Sequence, residues 1–364
     1  MTLIQQPHDP THLPGEAPVA EDESSLEQRE VAGLSQGQIV RRRFLRHKGA
    51  IVSLIVLILI IVLAATSIGW GPIPGWWKWD YNSVVPPTPD QSPTMSLRPT
   101  WLGGAGITFG DHPFGLDNEK ARDMFALTMR GVQQTLVVIA VLAALAVTIG
   151  VVIGAIAGYY GRWVDSALMR FVDVILVIPL LLIAAVAAYG LGASGIWSVA
   201  LALGLFTWTG LARLVRAEFL ALREREFVDA ARVAGASNRR IIFKHILPNT
   251  VGTIVVSTTL LLGAGILTEA ALGFLGFGIQ PPDVSLGSLV SDYQGAFSSR
   301  PWLFIWPGVF IVVIVLCLQF IGDGLRDAFD PRQKRIPKRK DLEKAAEADA
   351  PLARGNRTVG GRAG

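Results

Sequence analysis

The chain has one cysteine, Cys317, in 364 residues, so no disulfide can form within it and no cysteine-ligated metal cluster is available. Charge is scarce as well. Asp, Glu, Lys and Arg together make up 17%, where an ordinary soluble domain carries roughly a quarter. No glycine directly precedes a lysine anywhere, so the phosphate-cradling loop G-x-x-x-x-G-K-[ST] is missing, and with it that route to binding ATP. Neither H-E-x-x-H nor C-x-x-C occurs, and His8, His12, His47, His112 and His245 are scattered over tails and loops. No cofactor and no metal are expected. Inside the apolar runs, Glu269 is the only acid clearly placed. Carriers coupled to protons or ions usually centre on buried ionisable groups, so this scarcity weighs against a carrier with its own engine.

What the chain has instead is long apolar blocks. Residues of hydrophobic type make up 51% and the mean hydropathy is +0.44, and Ile51 to Leu63 runs almost without a polar interruption. About 20 apolar residues cross a bilayer as a helix. Six stretches qualify: residues 50–70, 134–158, 168–189, 196–214, 250–277 and 302–321. The first begins too far into the chain, and is too long, for a cleaved signal. The expected fold is therefore an all-α integral membrane protein with six transmembrane helices.

Basic residues set the expected orientation. Arg41, Arg42, Arg43, Arg46 and Lys48 crowd the entrance to the first span. Counting alternately, the loop holding Arg213, Arg216, Arg223, Arg225, Arg232, Arg239, Arg240 and Lys244 falls on the same side. So does the tail with Arg332, Lys334, Arg335, Lys338, Arg339 and Lys340. Both termini are expected in the cytoplasm. The net charge of +4 thus reflects helix orientation, and no nucleic-acid partner is expected. Residues 1–40 and 332–364 hold too little apolar area to offset ordering entropy and are expected to be disordered. Residues 41–331 are expected to form the transmembrane domain, with a loop at about 71–130 facing outward and one at about 215–249 facing inward. Trp70, Trp76 and Trp77 in the outer loop are expected to anchor in the headgroup region.

The inward loop carries the clearest local pattern. Phe227, Ala230, Ala231 and Ala234 recur at helical spacing and make a small-residue face. Gly235 suits the left-handed position that ends a helix, Ser237 suits the N-cap of the next, and Pro248 is expected to close it. A face this small fits a narrow groove on a partner; a helix pair lying on the membrane interface is the other reading. A second pattern lies in span two, where Ala146, Gly150, Gly154 and Gly158 recur every four residues and offer a face without side chains for close helix packing. Glu269 falls toward the outer end of span five, as an element of a gate or path or as a structural hydrogen-bonding group.

Asp229-Ala230-Ala231, then Gly235, then Ile246-Leu247-Pro248 resembles the E-A-A-x-x-x-G-(x)n-I-x-L-P signature of permeases in binding-protein-dependent ABC importers, with Asp229 where Glu is usual. His112-Pro-Phe-Gly-Leu-Asp117, the Arg122-Asp123 pair, Gly276 to Pro282 and Gly322 to Arg332 resemble the second, C-type permease subunit of the dipeptide/oligopeptide family. Leu116 stands where Thr is common, and Ala121 where Gly is. The resemblance implies the type I ABC importer (MetI-like) permease fold and half of a translocation path. It also implies several partners: a homologous permease subunit, two cytoplasmic ATPases that bind the ATP, an external substrate-binding protein, and the lipid bilayer. By the same resemblance, Asp229, Ala230, Ala231, Gly235, Ile246, Leu247 and Pro248 belong to the ATPase-coupling loop. Peptides are the implied substrate, with nickel or another small solute as the alternative.

Overall fold

The computed structural model describes residues 36–85, 91–96, 106, 108–117, 120–190 and 195–330. The chain divides into two compact units, residues 1–328 and 329–364; the helices below lie in the first, apart from the last residue of α10. Among the described residues, regular structure is helical, with only isolated β-bridges beside it.

Helix α1 (Gln36–Arg46) ends at His47, whose ring Nδ1 accepts the Ala50 N–H at 3.0 Å and so caps α2 (Lys48–Ser67). Residues 36–40, expected in the disordered tail, are therefore helical. Ile39, Val40 and Phe44 supply a partly buried stripe along α1. The rest of both expected tails lies outside the described residues.

Helix α3 (Met124–Tyr160) is 37 residues long, about 55 Å at 1.5 Å per residue, well beyond the hydrocarbon thickness. It starts ten residues before the expected span because Asp123 accepts the Ala126 N–H at 2.8 Å and caps the helix there. The expected third span is broken. Helices α4 (Arg162–Val177) and α5 (Leu180–Gly190) meet at 84°. Pro179 lacks an N–H and pushes Ile178 into extended backbone at φ −79°, ψ 125°, as a residue before proline prefers. Among the described residues, five helices are long and apolar enough to cross a membrane, and the bent pair makes the sixth when taken as one span.

Helix α6 (Ile196–Arg223) lies against α3. A Cβ added at Gly154 would sit 2.5 Å from the Ala212 carbonyl oxygen, and one at Gly158 would sit 2.5 Å from Phe219 Cβ; at Gly150 the nearest atom, Leu211 Cβ, is 3.1 Å away. The side-chain-free face thus meets the backbone of α6. Short α7 (Glu226–Val233) precedes α8 (Asn238–Phe274), a second 37-residue helix with a π turn at Ile241–Ile246. Pro248 does not close a helix as expected. It lies in the first turn of the α-helical stretch after the π turn, where the Leu247 N–H already reaches back five residues to the Ile242 carbonyl. A proline at such a point breaks no bond that the helix needs. Helices α9 (Leu286–Tyr293) and α10 (Trp302–Phe329) are the last two α-helices among the described residues.

The main apolar core joins α3, α6, α8 and α10 with aromatic residues of the segment before α3, where Phe114 stacks on Trp306 at 4.0 Å. A second, smaller core of Ala155, Tyr159, Val215, Phe219, Val228, Ile241 and Ile246 lies beneath α7.

Candidate functional site

At the basic end, α7 terminates in a full Schellman motif. Gly235 has φ +77°, the Ala236 N–H donates to the Ala231 carbonyl at 3.0 Å, and the Gly235 N–H donates to the Arg232 carbonyl at 2.9 Å. Glycine adopts this conformation without the clash a Cβ would bring. Ser237 then caps α8, and the Tyr159 hydroxyl donates to Asn238 Oδ1 at 2.8 Å, tying the turn to the end of α3. Arg223 donates to the Gly158 and Tyr159 carbonyls, which the helix end leaves without intrahelical partners.

This frame divides the expected site residues. Val228, Ile241 and Ile246 are buried, and Ala231 and Leu247 pack partly buried against them. Asp229 is exposed, accepting from Arg232 at 2.8 Å. Ala230, Ala234, Gly235 and Pro248 are exposed, as are Phe227 and Phe243, and Val233 is 90% exposed. Ala231 therefore does not share the outward face with Ala230; it belongs to the inner face because it sits three positions after buried Val228. A rigidly mounted helix with a small, partly apolar outer face is suited to insertion into a groove on another protein.

The opposite end carries a network that the residue patterns did not pick out as a site. Asp123, fully buried, accepts from the Trp77 indole N–H at 3.1 Å and from the Ala126 N–H, and lies 2.8 Å from His112 Nδ1. Burial, outweighing the hydrogen bonds from His112, Ala126 and Trp77, pushes its carboxyl above the usual carboxylate range. Trp77, expected as a headgroup anchor, instead packs on Phe125 at 4.8 Å, because its indole N–H finds an acceptor inside the protein. Arg122 donates to buried Asp117 at 2.9 Å and also bonds the Tyr293 hydroxyl. Arg130 donates to Asp283 and lies over the Tyr81 ring, while the Gln133 amide donates to the Ala64 and Gly69 carbonyls at the end of α2. Ala121 has φ +48°. The signal in the sequence was the His112–Asp117 and Arg122-Asp123 motif, whose residues turn out to hold this end together.

Glu269 is completely buried in α8, five residues before the helix ends. The Thr135 hydroxyl of α3 donates to its Oε2 at 3.2 Å, and the Ser285 side chain, N-cap of α9, faces the same carboxyl. Its Oε1 has no hydrogen-bond partner among the described residues. No group of three or more potential metal ligands occurs among the described residues.

Long apolar helices, glycine-mediated packing, a solvent-facing helix at one end and a folded cap at the other define a polytopic helical membrane protein. Residues 150–335 match the family described as the binding-protein-dependent transport system inner membrane component. Residues 35–99 match the N-terminal TM domain of oligopeptide transport permease C. The oligopeptide transport system permease protein OppC of Mycobacterium tuberculosis is 37% identical over 303 residues, covering 83% of this chain and 97% of that protein. Its namesake in Haemophilus influenzae is 37% identical over 85% of this chain and 93% of its own. A putative peptide permease protein of Brucella ovis is 38% identical over 82% and 92%. A chain of the MetNI methionine ABC transporter in inward-facing conformations superposes with a TM-score of 0.48 at 23% identity, over 57% of this chain and 98% of that one. The chain belongs to the inner membrane permeases of binding-protein-dependent transport systems, the membrane-spanning subunits of ABC importers.

Proposed function

We infer that this permease imports peptides, forming half of a translocation path with a homologous permease subunit. Two cytoplasmic ATPases bind the segment from Glu226 to Pro248, and an external substrate-binding protein docks at the opposite end. The observation that carries the reading is the α7 mount: an outward face of Phe227, Ala230, Val233 and Ala234 on a helix whose inner face is locked to α6 and α8. A force applied there moves the helix frame as well as the loop. Basic residues at α1 and around α7 support a cytoplasmic position for both termini and for this segment. The peptide assignment rests on relatives named as oligopeptide and peptide permeases. ATP is hydrolysed in the partner subunits.

Ala230→Trp and Gly235→Val test the docking. Overpacking a tight contact costs about 1–3 kcal/mol, roughly a five- to hundred-fold loss of affinity, and a β-branched residue strains a left-handed turn. Both variants are expected to insert normally, to lose co-purifying ATPase subunits and to abolish peptide uptake. Ala230 is a cleaner site than Ala231, where a larger side chain would also press on the protein's own inner core. Retained ATPase binding and uptake in both variants would remove this function. An α7 lying on lipid predicts the opposite sign, since tryptophan at position 230 would then tighten attachment.

A further inference from the structure

The outer end of α8 and its inner end belong to one unbroken helix. It starts at Asn238, capped by Ser237 in the turn that follows α7, and runs to Phe274. Around its outer end it meets α9 backbone to backbone. A Cβ on Gly287 would sit 2.6 Å from Ala270 Cα, and one on Gly273 would sit 2.8 Å from the Gly287 carbonyl carbon, so the two backbones meet with no side chain between them. Ser291 donates to the Phe274 carbonyl at 3.0 Å. Glu269 lies at the centre of this junction, held by Thr135 of α3 and faced by the Ser285 cap of α9. The far end of α9 is bonded in turn to the cap, through Tyr293, Arg122 and Asp117. Just before α9, Asp283 is paired with Arg130 of α3.

Burying a carboxyl group is costly unless it is satisfied, and a plain apolar residue would fill this space without that cost. One oxygen of Glu269 takes the Thr135 hydrogen bond, while the other has no partner here among the described residues. A side chain with one oxygen bonded and a second polar atom free to hydrogen-bond in another arrangement biases an equilibrium between the two. Coupling between distant sites requires an element with two arrangements that both sites influence. The π turn at Ile241–Ile246 adds a place where the helix bonds five residues back and can change register.

We propose that Glu269 is a positioning residue that ties α9 and the outer cap to α8, so that movement of the cap on one face of the membrane reaches the α7 segment on the other along a single helix. The proposal rests on the reading that ATPases bind at α7 and a substrate-binding protein docks at the cap. Glu269 acts here through the geometry of its hydrogen bonds, and touches neither substrate nor ATP.

The test uses the complete complex in liposomes: this permease, its second permease and the ATPases. ATP hydrolysis is measured with and without peptide-loaded binding protein, and the readout is the ratio of the two rates, which simple loss of folded protein does not change. Glu269→Leu is expected to lower the ratio at least about fivefold, while Glu269→Gln, which still accepts from Thr135 and can donate to Ser285, stays within about twofold of wild type. Thr135→Val, close in shape and lacking only the donor, is expected to lower the ratio in complexes that assemble fully, so the test does not depend on the leucine variant folding. A wild-type ratio in both Glu269→Leu and Thr135→Val overturns the proposal. So does a glutamine variant as impaired as the leucine one, because charge rather than the tether would then be responsible. Failure of the underlying reading shows separately, as a wild-type complex that recruits no ATPase subunits.

Discussion

Alanine at Gly154 is expected to force α6 away from α3 and to lower the yield and the thermal midpoint of the detergent-solubilised permease. The added Cβ would sit 2.5 Å from the Ala212 carbonyl oxygen, 2.8 Å from Val215 Cβ and 3.1 Å from the Arg216 nitrogen. Two of these three are backbone atoms, which no rotamer change can move aside. In an exposed helix interior, alanine would gain about 1 kcal/mol over glycine; here overpacking, at about 1–3 kcal/mol or more, works against that gain and outweighs it. Gly158→Ala should behave alike, with contacts of 2.5 Å to Phe219 Cβ and 2.7 Å to the Arg216 carbonyl. Gly150→Ala, where the nearest atoms are 3.1 Å away, should be mildest. Apolar attraction between helices is weak in lipid, so close contact is what holds this pair. Thermal unfolding of the three variants checks the order, and a more stable Gly154→Ala protein would refute the packing account.

Removal of the Asp123 carboxyl should be at least as damaging, and at the other end of the same helix. Asp123→Ala would strand the Trp77 indole N–H, the His112 ring and the Ala126 N–H at the start of α3, all of which now face one buried carboxyl group. Leaving a buried hydrogen-bonding group without its partner costs about 1–3 kcal/mol, and loss of a helix cap adds about 1 kcal/mol. The expected result is a cap that opens while the spans stay folded: faster proteolysis within residues 70–122, a lower thermal midpoint, and retained membrane insertion. Asp123→Asn keeps an acceptor for the helix N–H and should lose roughly half as much or less. Equal protease resistance in wild type and Asp123→Ala would show that the network does not hold the cap.

Several features were legible in the residues because they depend on local chemistry. Apolar runs long enough to cross a bilayer mark helices, since no other open structure satisfies its backbone in lipid. Gly235 could be placed in a left-handed turn because a helix pattern ends just before it. The four-residue spacing of Ala146, Gly150, Gly154 and Gly158 marked a bare face. Other features depend on which neighbour arrives, and spacing says little about that. The small face around Ala230 and Ala231 reads as one surface until Val228 is found buried in the second core, which turns Ala231 inward. Trp77 has the composition of a headgroup anchor, but a tryptophan's place is set by whether its N–H meets water or a protein acceptor, and Asp123 is 46 positions away.

By itself the sequence determined that this chain spans the membrane as helices, where the apolar stretch of each lies, which face of α3 packs closely, and which family it resembles. The first three follow from composition or from periodicity within one helix, and the resemblance from short motifs. Only the tertiary structure decided that the third span breaks by 84° at Ile178 and Pro179, and that the partner of the bare face is α6. It alone also decided that Glu269 joins α3, α8 and the start of α9. Those are contacts between residues up to 134 positions apart. Burial makes each of them matter, because a polar group withdrawn from solvent must find its partner wherever the fold brings one.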